Sequence, residues 1–386
     1  MIARILCNIL IIYFTTINIK CYVEANDINM LSESDTVENR KRDKRAIFNP
    51  VEPEWIPPIP YLINDTGLED FVEQVLFDIE NNTCLTFERI TDRQDYMIEY
   101  VKGTSDCKIT KEDFDIKIVN VAPHCRTLGA VYQMTLKVLG LINEERRPDR
   151  NNYVSIRRNN IYQNKRRKFN IIPRSDLYLT GLRYDFGSIL HNGRRYESRN
   201  GLMTIIPKNS YYLKTIGQTK EMSFNDVKSL NMYYCYDVCL DDLDCLNGAY
   251  PDPKDCTKCR CPRFYTGKRC GLIANTTDDC GTTKLTANST IQTLEISGVK
   301  SCIYQIVAPE LYNVELAIEE YDFPARSVCP PDFGLEIKFL FDKSVAGPRF
   351  CGYQKNIFLQ SIGRGLTMKY VGTRNTDYVK MFYYQK

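Results

Sequence analysis

The first half of the chain carries the apolar spacing of helices mixed with that of strands. The i, i+3, i+4, i+7 spacing of an amphipathic helix is followed by Leu68, Phe71, Val72, Val75, Leu76 and Ile79, and Thr66 with Glu69 matches a capping box at its start. A second helix is predicted from Leu128, Val131, Tyr132, Leu136 and Leu139, and a third from near Ser223 to Tyr234. The alternation in Ile116-Lys117-Ile118-Val119 predicts a strand. We therefore expect one α+β domain over residues 46–235.

The second half of the chain consists of a cysteine-rich segment followed by a segment rich in predicted strands. Residues 236–271 hold six cysteines spaced C-x5-C-x10-C-x2-C-x-C-x8-C, namely Cys239, Cys245, Cys256, Cys259, Cys261 and Cys270. A segment this small has no room for a core and must be held by bridges. Residues 280–386 contain short β-branched and aromatic strands such as Val314–Ile318 and Leu335–Phe339, which predict an all-β sandwich.

The N-terminus reads as an export signal followed by a propeptide. A positive start, an apolar run from Ile5 to Ile19 and small residues up to Ala25 are typical of a signal peptide over residues 1–25. The alternative, a membrane anchor, needs roughly 20 apolar residues, and no later stretch is apolar enough to span a bilayer. Arg42-x-Lys44-Arg45 matches a convertase site, so residues 26–45 are predicted to be removed by cleavage between Arg45 and Ala46; a solvated charge cluster is the alternative. We expect a secreted, extracellular protein.

Cysteines and glycosylation sequons agree with export. Of 16 cysteines, the signal would remove Cys7 and Cys21 and leave an even number, as expected for disulfides in an oxidising compartment. Clustered cysteines also bind zinc, but export favours bridges. Predicted glycosylation sites are Asn64, Asn81, Asn275 and Asn288.

The formal net charge of +3 hides one basic segment, residues 146–168. It contains Arg146, Arg147, Arg150, Arg157, Arg158, Lys165, Arg166, Arg167 and Lys168. Such a segment could bind a polyanion such as a glycosaminoglycan, and a solvated surface is the alternative. Nucleic acid is a poor partner outside the cell.

Several short motifs occur in the order seen in the astacins. They are Trp55 with Ile59-Pro60-Tyr61, Thr83-Cys84-x-x-Phe87, Arg147-Pro148-Asp149-Arg150, Thr204-Ile205-x-Pro207-Lys208, Thr215-Ile216-Gly217-Gln218, Ser223-Phe224-x-Asp226 and Tyr234-Cys235. The chain thus resembles an astacin zinc metalloendopeptidase of the nematode type. This resemblance implies a zincin-like (metzincin) domain, then an EGF-like module and a CUB domain. It also implies the bridges Cys84–Cys235, Cys107–Cys125, Cys239–Cys256, Cys245–Cys259, Cys261–Cys270, Cys280–Cys302 and Cys329–Cys351.

The zinc motif of that family is changed at its chemical positions. The family sequence His-Glu-x-x-His-x-x-Gly-x-x-His-Glu-x-x-Arg-x-Asp aligns with a stretch in which the three ligand positions hold Gln133, Lys137 and Asn143. The general-base position is Met134, and Asn192 replaces the tyrosine of the methionine turn. Amides are poor zinc donors and an ammonium has no lone pair. Only two histidines exist in the chain, so they cannot supply a relocated three-histidine site.

We therefore predict no zinc or other cofactor, no catalytic residue and no enzymatic activity. The expected function is that of a pseudoenzyme that binds extracellular protein or glycan partners through its cleft and its EGF-like and CUB modules. An atypical zinc metalloendopeptidase with retained proteolysis is the alternative, and a purely structural matrix protein is a third. Asp332 alone does not predict a calcium site in the CUB domain.

Two further expectations concern the altered site, and a third concerns its rim. The Lys137 ammonium could occupy the position of zinc, bonded to the amide oxygens of Gln133, Asn143 or Asn192, or it could point into an open cleft. The resemblance implies that a new amino terminus at Ala46 pairs with Glu144. The glycine-rich edge strand of the family is expected to be missing, because the charged stretch Ile109–Asp115 stands in its place.

Overall fold

The computed structural model describes residues 46–51, 54–240, 243–276 and 279–386. The predicted signal peptide, the propeptide and Arg45 lie outside the described residues. Among those described, no helix combines the length and apolar character needed to cross a bilayer.

The N-terminal domain, residues 46–235, mixes helices with a five-stranded sheet. Its elements are β1 (Ala46–Phe48), β2 (Ile59–Ile63), α1 (Glu69–Asn82), β3 (Phe87–Arg89), β4 (Ile98–Lys102), β5 (Lys108–Lys111), β6 (Lys117–Val121), α2 (Leu128–Val138), β7 (Val154–Ile156), β8 (Leu177–Leu179), β9 (Ile205–Pro207) and α3 (Phe224–Tyr234). The sheet order is β3-β2-β4-β6-β5. All neighbours are parallel except β5, which runs antiparallel to β6 at the edge. Two small antiparallel pairs, β1 with β8 and β7 with β9, complete the domain.

The three helices occupy the segments that the apolar spacing predicts. α1 buries Val72, Val75, Leu76 and Ile79, and α2 buries seven residues of its eleven. α3 begins after Ser223, which forms the predicted cap and a full capping box with Asp226. The capping box predicted at Thr66 is wrong: Asp65 instead caps a 3-10 turn over Thr66–Leu68, because its carboxylate accepts from the backbone N–H of Gly67.

The remaining described residues form β-strands and the loops between them. The middle module, residues 239–273, contains β10 (Tyr250–Asp252), β11 (Asp255–Arg260), β12 (Tyr265–Thr266) and β13 (Leu272–Ile273). The C-terminal domain, residues 280–386, contains β14 (Lys284–Thr286), β15 (Gln292–Ser297), β16 (Ser301–Val307), β17 (Val314–Asp322), β18 (Gly334–Lys338), β19 (Arg349–Phe350), β20 (Tyr353–Gln360), β21 (Gly365–Val371) and β22 (Tyr378–Gln385). Its two sheets have the orders β14-β16-β21-β18-β19 and β15-β22-β17-β20. The alternating burial along β17 and β22 is that of a sandwich.

Seven disulfides are formed among the described residues, and one of them joins residues far apart in sequence. The structure forms Cys84–Cys235, Cys107–Cys125, Cys239–Cys256, Cys245–Cys259, Cys261–Cys270, Cys280–Cys302 and Cys329–Cys351. The first of these closes a loop of 151 residues and so joins the end of α1 to the end of α3. Such long loops restrict the unfolded chain most strongly.

The C-terminal domain packs directly against the N-terminal domain and shares one hydrophobic core with it. Phe186 and Tyr212 stack with ring centroids 4.0 Å apart, and Phe339 of the sandwich lies beside Tyr212. Hydrogen bonds cross the same interface: the Ala346 N–H donates to Asp185 at 3.2 Å, and the Arg349 N–H donates to the Thr215 hydroxyl at 2.9 Å. The sandwich is therefore docked on the N-terminal domain.

A buried ion pair stands where the two domains and the middle module meet. Arg349 Nε donates to Glu336 Oε2 at 2.9 Å, and both side chains are almost fully buried. Burial raises the pKa of Glu336, but Arg349 and Arg263 outweigh it and hold that pKa below its ordinary value. Arg263 of the middle module also pairs with Glu221 and with Asp332, so charges from all three regions converge here.

We expect Arg349→Met to destabilise the protein by about 3 kcal/mol, because it leaves the Glu336 carboxylate buried without its closest partner. The matched control is Arg364→Met, since Arg364 pairs with Glu310 at the surface and such pairs contribute less than about 1 kcal/mol. Scanning calorimetry of the whole chain compares the two. Equal shifts of the melting temperature would contradict a structural role for the buried pair.

Candidate active site

α2 presents Gln133 and Lys137 one turn apart on one face, and the chain then turns back at Gly140. Gly140 has φ +91°, and a Cβ there would lie 2.5 Å from Val51 Cγ2. Only glycine fits this position. The turn brings Asn143 close to the segment 188–192 that also faces Gln133. The three predicted ligand positions are thus on adjacent segments.

The two amides at these positions bind the backbone. Gln133 Nε2 donates to the carbonyl of Ile189 at 2.8 Å, and Asn143 Nδ2 donates to the carbonyl of Leu190 at 2.7 Å. Met134 is buried in the core of the domain. Gln133 and Asn143 therefore hold the turn 188–192 against α2, and Met134 fills space.

The same turn is held from the other side by α3. The Ser188 hydroxyl donates to Asp226 Oδ1 at 2.6 Å, and the N–H of Ile189 donates to Asp226 Oδ2 at 3.1 Å. Asp226 is also the residue that completes the cap of α3. One buried carboxylate thus fixes both the helix start and the turn.

The contact between Asn192 and Glu145 is the third attachment of the turn 188–192, and the sequence did not indicate it. Asn192 donates to Glu145 through its side-chain amide at 2.5 Å and through its backbone N–H at 3.2 Å. His191 is fully buried beside them, with Nδ1 2.8 Å from the carbonyl of Asn192 and Nε2 2.8 Å from the hydroxyl of Tyr184. A carbonyl only accepts, so Nδ1 carries the proton and Nε2 accepts from the phenol. Burial lowers the pKa of His191, which keeps the ring neutral.

Lys137 differs from its neighbours because its amine makes no hydrogen bond or ion pair within the described residues. The hypothesis that it bonds to the amide oxygens of Gln133, Asn143 or Asn192 is wrong, since none of these oxygens accepts a hydrogen bond from Lys137. Lys137 instead lines an open cavity of about 470 Å³. Burial lowers its pKa, Glu145 opposes this, and the charges of Arg146 and Lys168 lower it further.

The cavity is bounded by α2, the sheet edge, the segment 48–51 and the segment 175–176, which contributes the carboxylate of Asp176. Ile109 of β5 and Lys117 of β6 line one side, and Val138 and Gly140 line the other. The stretch predicted to replace the family's glycine-rich edge strand contains no glycine but still forms a strand: residues 108–111 are β5, paired with β6 on one side only within the described part of the sheet. Backbone pairing does not depend on glycine, so the charged sequence still forms a strand.

The side chains at the three ligand positions do not fit zinc as they stand. Two amides point N–H groups at carbonyls, and the third group is an ammonium with no lone pair. Both ring nitrogens of His191 are hydrogen-bonded. In the described part of the chain, one group of three potential ligands comes together, Cys107, His124 and Cys125, but its cysteines form a disulfide and offer no thiolate.

Behind the cleft lies a fully buried cation, Arg147. It forms two bonds to Asp149 at 2.8 and 2.7 Å, one to Glu144 at 3.1 Å and one to the carbonyl of Leu182 at 3.2 Å. Burial opposes the charge, but Glu144 and Asp149 raise the pKa of Arg147 above its ordinary value. Arg147, Glu144 and Asp149 therefore stabilise the fold behind the cleft.

Ala46, the predicted new amino terminus, is buried at the start of β1. It pairs with Leu179 of β8 and packs against Ile142, two residues before Glu144. Its pairing with Glu144 after cleavage stays a prediction. The predicted glycosylation sites also stay predictions; Asn64, Asn81, Asn275 and Asn288 are all exposed.

Comparisons with known proteins cover almost all of the described chain. The family model described as Astacin, a peptidase family, matches residues 49–235, and the CUB domain model matches residues 280–382. These matches confirm the predicted fold class of a zincin-like domain followed by a disulfide-rich region and an all-β CUB sandwich.

Among curated relatives, zinc metalloproteinase nas-34 of Caenorhabditis elegans is 33% identical over 328 residues, which is 82% of this chain and 54% of the relative. Zinc metalloproteinase nas-23 of the same species is 30% identical over 367 residues, 89% of this chain and 67% of the relative. Zinc metalloproteinase dpy-31 of Brugia malayi is 30% identical over 351 residues, which is 86% of this chain and 58% of the relative. The chain spans about half the length of nas-34. A solved structure, the hatching enzyme zinc-protease high choriolytic enzyme 1 of Oryzias latipes, is 27% identical, covers 46% of this chain and 88% of its own, and has a TM-score of 0.42.

These comparisons correct two predictions made from the sequence. The prediction that the chain is not an enzyme is contradicted, because a peptidase-family model matches its N-terminal domain and relatives named zinc metalloproteinases match most of its length. The prediction that it has no cofactor is contradicted for the same reason, since those relatives are named for zinc. The comparisons point to a protease and contain no sign that activity or zinc has been lost.

Glu144→Gln tests the predicted pairing of the amino terminus. The substitution weakens the bond to Arg147 in every form of the protein and should cost about 2 to 3 kcal/mol. If Ala46 pairs with Glu144, the loss will be larger after cleavage at Arg45 than before it. Thermal melts of the cleaved and uncleaved chains measure the difference.

Asp149→Asn is the matched control, because it removes the other carboxylate partner of Arg147 and should affect both forms equally. An equal effect of Glu144→Gln on both forms would contradict the pairing.

Proposed function

The chain belongs to the astacin family of peptidases, and from this we propose that it is a secreted protein that binds extended segments of other extracellular polypeptides in the cleft between β5 and α2. The observation that carries the proposal is the open cavity of about 470 Å³ between the sheet edge and the helix face that holds Lys137. Seven disulfides and a CUB domain support the extracellular setting.

The edge strand supports recognition of an extended chain. β5 pairs with β6 through one side and lies at the end of the sheet order. An exposed strand edge offers backbone N–H and C=O groups to which a peptide can add as a further strand. Because Ile109 of β5 and Lys137 line the same cavity, a peptide paired with β5 would pass over Lys137.

Lys137 gives the proposal its chemical selectivity. Its amine is partly buried and makes no ion pair among the described residues; burial, Arg146 and Lys168 lower its pKa, whereas the Glu145 carboxylate raises it. A desolvated cation is stabilised by a charge-assisted bond to an anion. The ligand we infer is therefore a peptide with an acidic side chain that reaches the ammonium.

The relatives favour peptide-bond hydrolysis as the outcome of this binding, so the chain would be an atypical zinc metalloendopeptidase. It would be atypical because Gln133, Lys137 and Asn143 do not supply the family's ligands. What the described residues do is narrower: α2 and the edge strand hold the polypeptide, Lys137 orients its carboxylate, and Gln133 with Asn143 keeps the turn 188–192 in place.

Lys137→Met tests the cleft. Two pools of capped peptides that differ only in a fixed central Glu or Gln are titrated against the processed chain by fluorescence anisotropy. We expect the Glu pool to bind about tenfold more tightly, and we expect this preference to disappear in Lys137→Met, because methionine keeps the length and loses the charge. The exposed Lys284→Met is the matched control and should keep the preference.

Equal affinity for both pools would contradict the role of Lys137, and failure of both to bind would overturn polypeptide binding. The same samples are then analysed for zinc by atomic emission and for peptide fragments by mass spectrometry, with and without a chelator. Fragments that no longer form when a chelator is present would support an endopeptidase. Peptides that bind but stay intact would limit the function to binding.

A further inference from the structure

The tertiary structure alters the basic segment that the sequence singles out. Arg147 and Arg150 are buried and bonded to carboxylates or backbone carbonyls, so they are not part of any surface. Arg146 is half-buried, with Nε bonded to the carbonyl of Asn170. The exposed charge therefore begins at Arg157, and residues 157–168 alone provide it from this segment.

A second basic segment, distant in sequence, packs beside the first. The backbone N–H of Arg199 donates to the carbonyl of Asn160 at 2.8 Å, and an isolated β-bridge joins Ile161 to Ser198. The N–H of Arg157 donates to the carbonyl of Thr204 at 2.8 Å. These bonds create one surface, here called the basic ridge, formed by Arg157, Arg158, Lys165, Arg166, Arg167, Lys168, Arg194, Arg195 and Arg199.

The basic ridge is almost free of negative charge. No Asp or Glu lies between residues 150 and 175, and Glu197 is the one acid between residues 186 and 204. Glu197 pairs with Lys168 at 2.5 Å. In the described part of the chain the other cations of the ridge make no ion pair. Burial and the neighbouring Arg195 lower the pKa of Arg194, as expected where cations crowd together.

We propose that the basic ridge binds a linear sulfated polysaccharide of the extracellular matrix. Most of its cations are arginines, whose planar guanidinium forms paired bonds to sulfate oxygens. A ridge of like charges with few counter-charges attracts a flexible polyanion strongly at low salt. This proposal does not depend on the proposed function, because the ridge is built from other residues than the cleft.

Asn170 joins the ridge to the buried part of the basic segment. Its backbone carbonyl accepts from Arg146 Nε at 3.1 Å, and its side-chain oxygen accepts from Arg158 at 3.2 Å.

The test uses the whole processed chain and heparin oligosaccharides. The variant Arg157→Gln, Arg158→Gln, Arg195→Gln, Arg199→Gln removes four exposed cations of the ridge. The control Lys254→Gln, Lys268→Gln, Lys284→Gln, Arg364→Gln removes the same charge from exposed positions in the middle module and the C-terminal domain. Affinity is measured by calorimetry at several salt concentrations, and thermal melts verify that both variants are folded.

We expect the ridge variant to bind heparin at least about tenfold more weakly at physiological salt, with a shallower salt dependence, because fewer counterions are released. The control should bind nearly as the native chain does, and heparin without its sulfates should not bind. Equal losses in both variants would overturn the proposal by showing a response to net charge alone. Equal binding of polyglutamate and heparin would overturn it in favour of an acidic polypeptide.

Discussion

A single buried cation organises the N-terminal domain. Arg147 has no exposed surface, and its bonds to Glu144, Asp149 and the carbonyl of Leu182 tie the segment after α2 to the segment before the turn 188–192. Glu144 also accepts the N–H of Asp185, whose side chain accepts the N–H of Ala346 in the sandwich. A buried charge that lost these partners would cost several kcal/mol. The Arg147 network therefore connects the segment after α2 both to the cleft and to one of the contacts with the C-terminal domain.

The turn 188–192 beside the cleft is held from several directions. Asp226 fixes it from α3, Glu145 fixes it through Asn192, Gln133 fixes it from α2, and Asn143 fixes it from the segment after α2. Within this set Lys137 is the exception, because its ammonium faces the open cavity. The residues aligned with the family's ligand positions thus divide into two that stabilise the backbone and one that lines the cavity. The relatives are named zinc metalloproteinases, and the side chains of the cleft bear on which polypeptides it would bind.

Two regions of the N-terminal domain carry positive charge, the cleft and the basic ridge. Lys137 sits in the cleft with Arg146 and Lys168 nearby, and the basic ridge continues from Lys168 across the segments 157–168 and 194–199. Both surfaces suit anionic groups, but the cleft is bounded by a strand edge that pairs with backbone, whereas the ridge is an open row of arginines. The proposed acidic polypeptide and the proposed sulfated polysaccharide would therefore contact different residues.

The sequence by itself determined the local features: the three helices, the cap at Ser223, the cysteine-rich module and the alternating strands of the sandwich. Each depends on spacing within a few residues, which a sequence displays directly. The edge strand β5 and the amine of Lys137, which makes no ion pair among the described residues, depended on which distant groups lie nearby. The residue types at the zinc motif led to the predictions that the chain is no enzyme and binds no metal. The comparisons with relatives contradict both predictions, because they match most of the chain and not the motif alone. Only the tertiary structure buried Arg147 and Arg150 and brought Arg194, Arg195 and Arg199 beside Arg157. The physical reason is that burial and the meeting of charges are set by long-range packing, which no local pattern encodes.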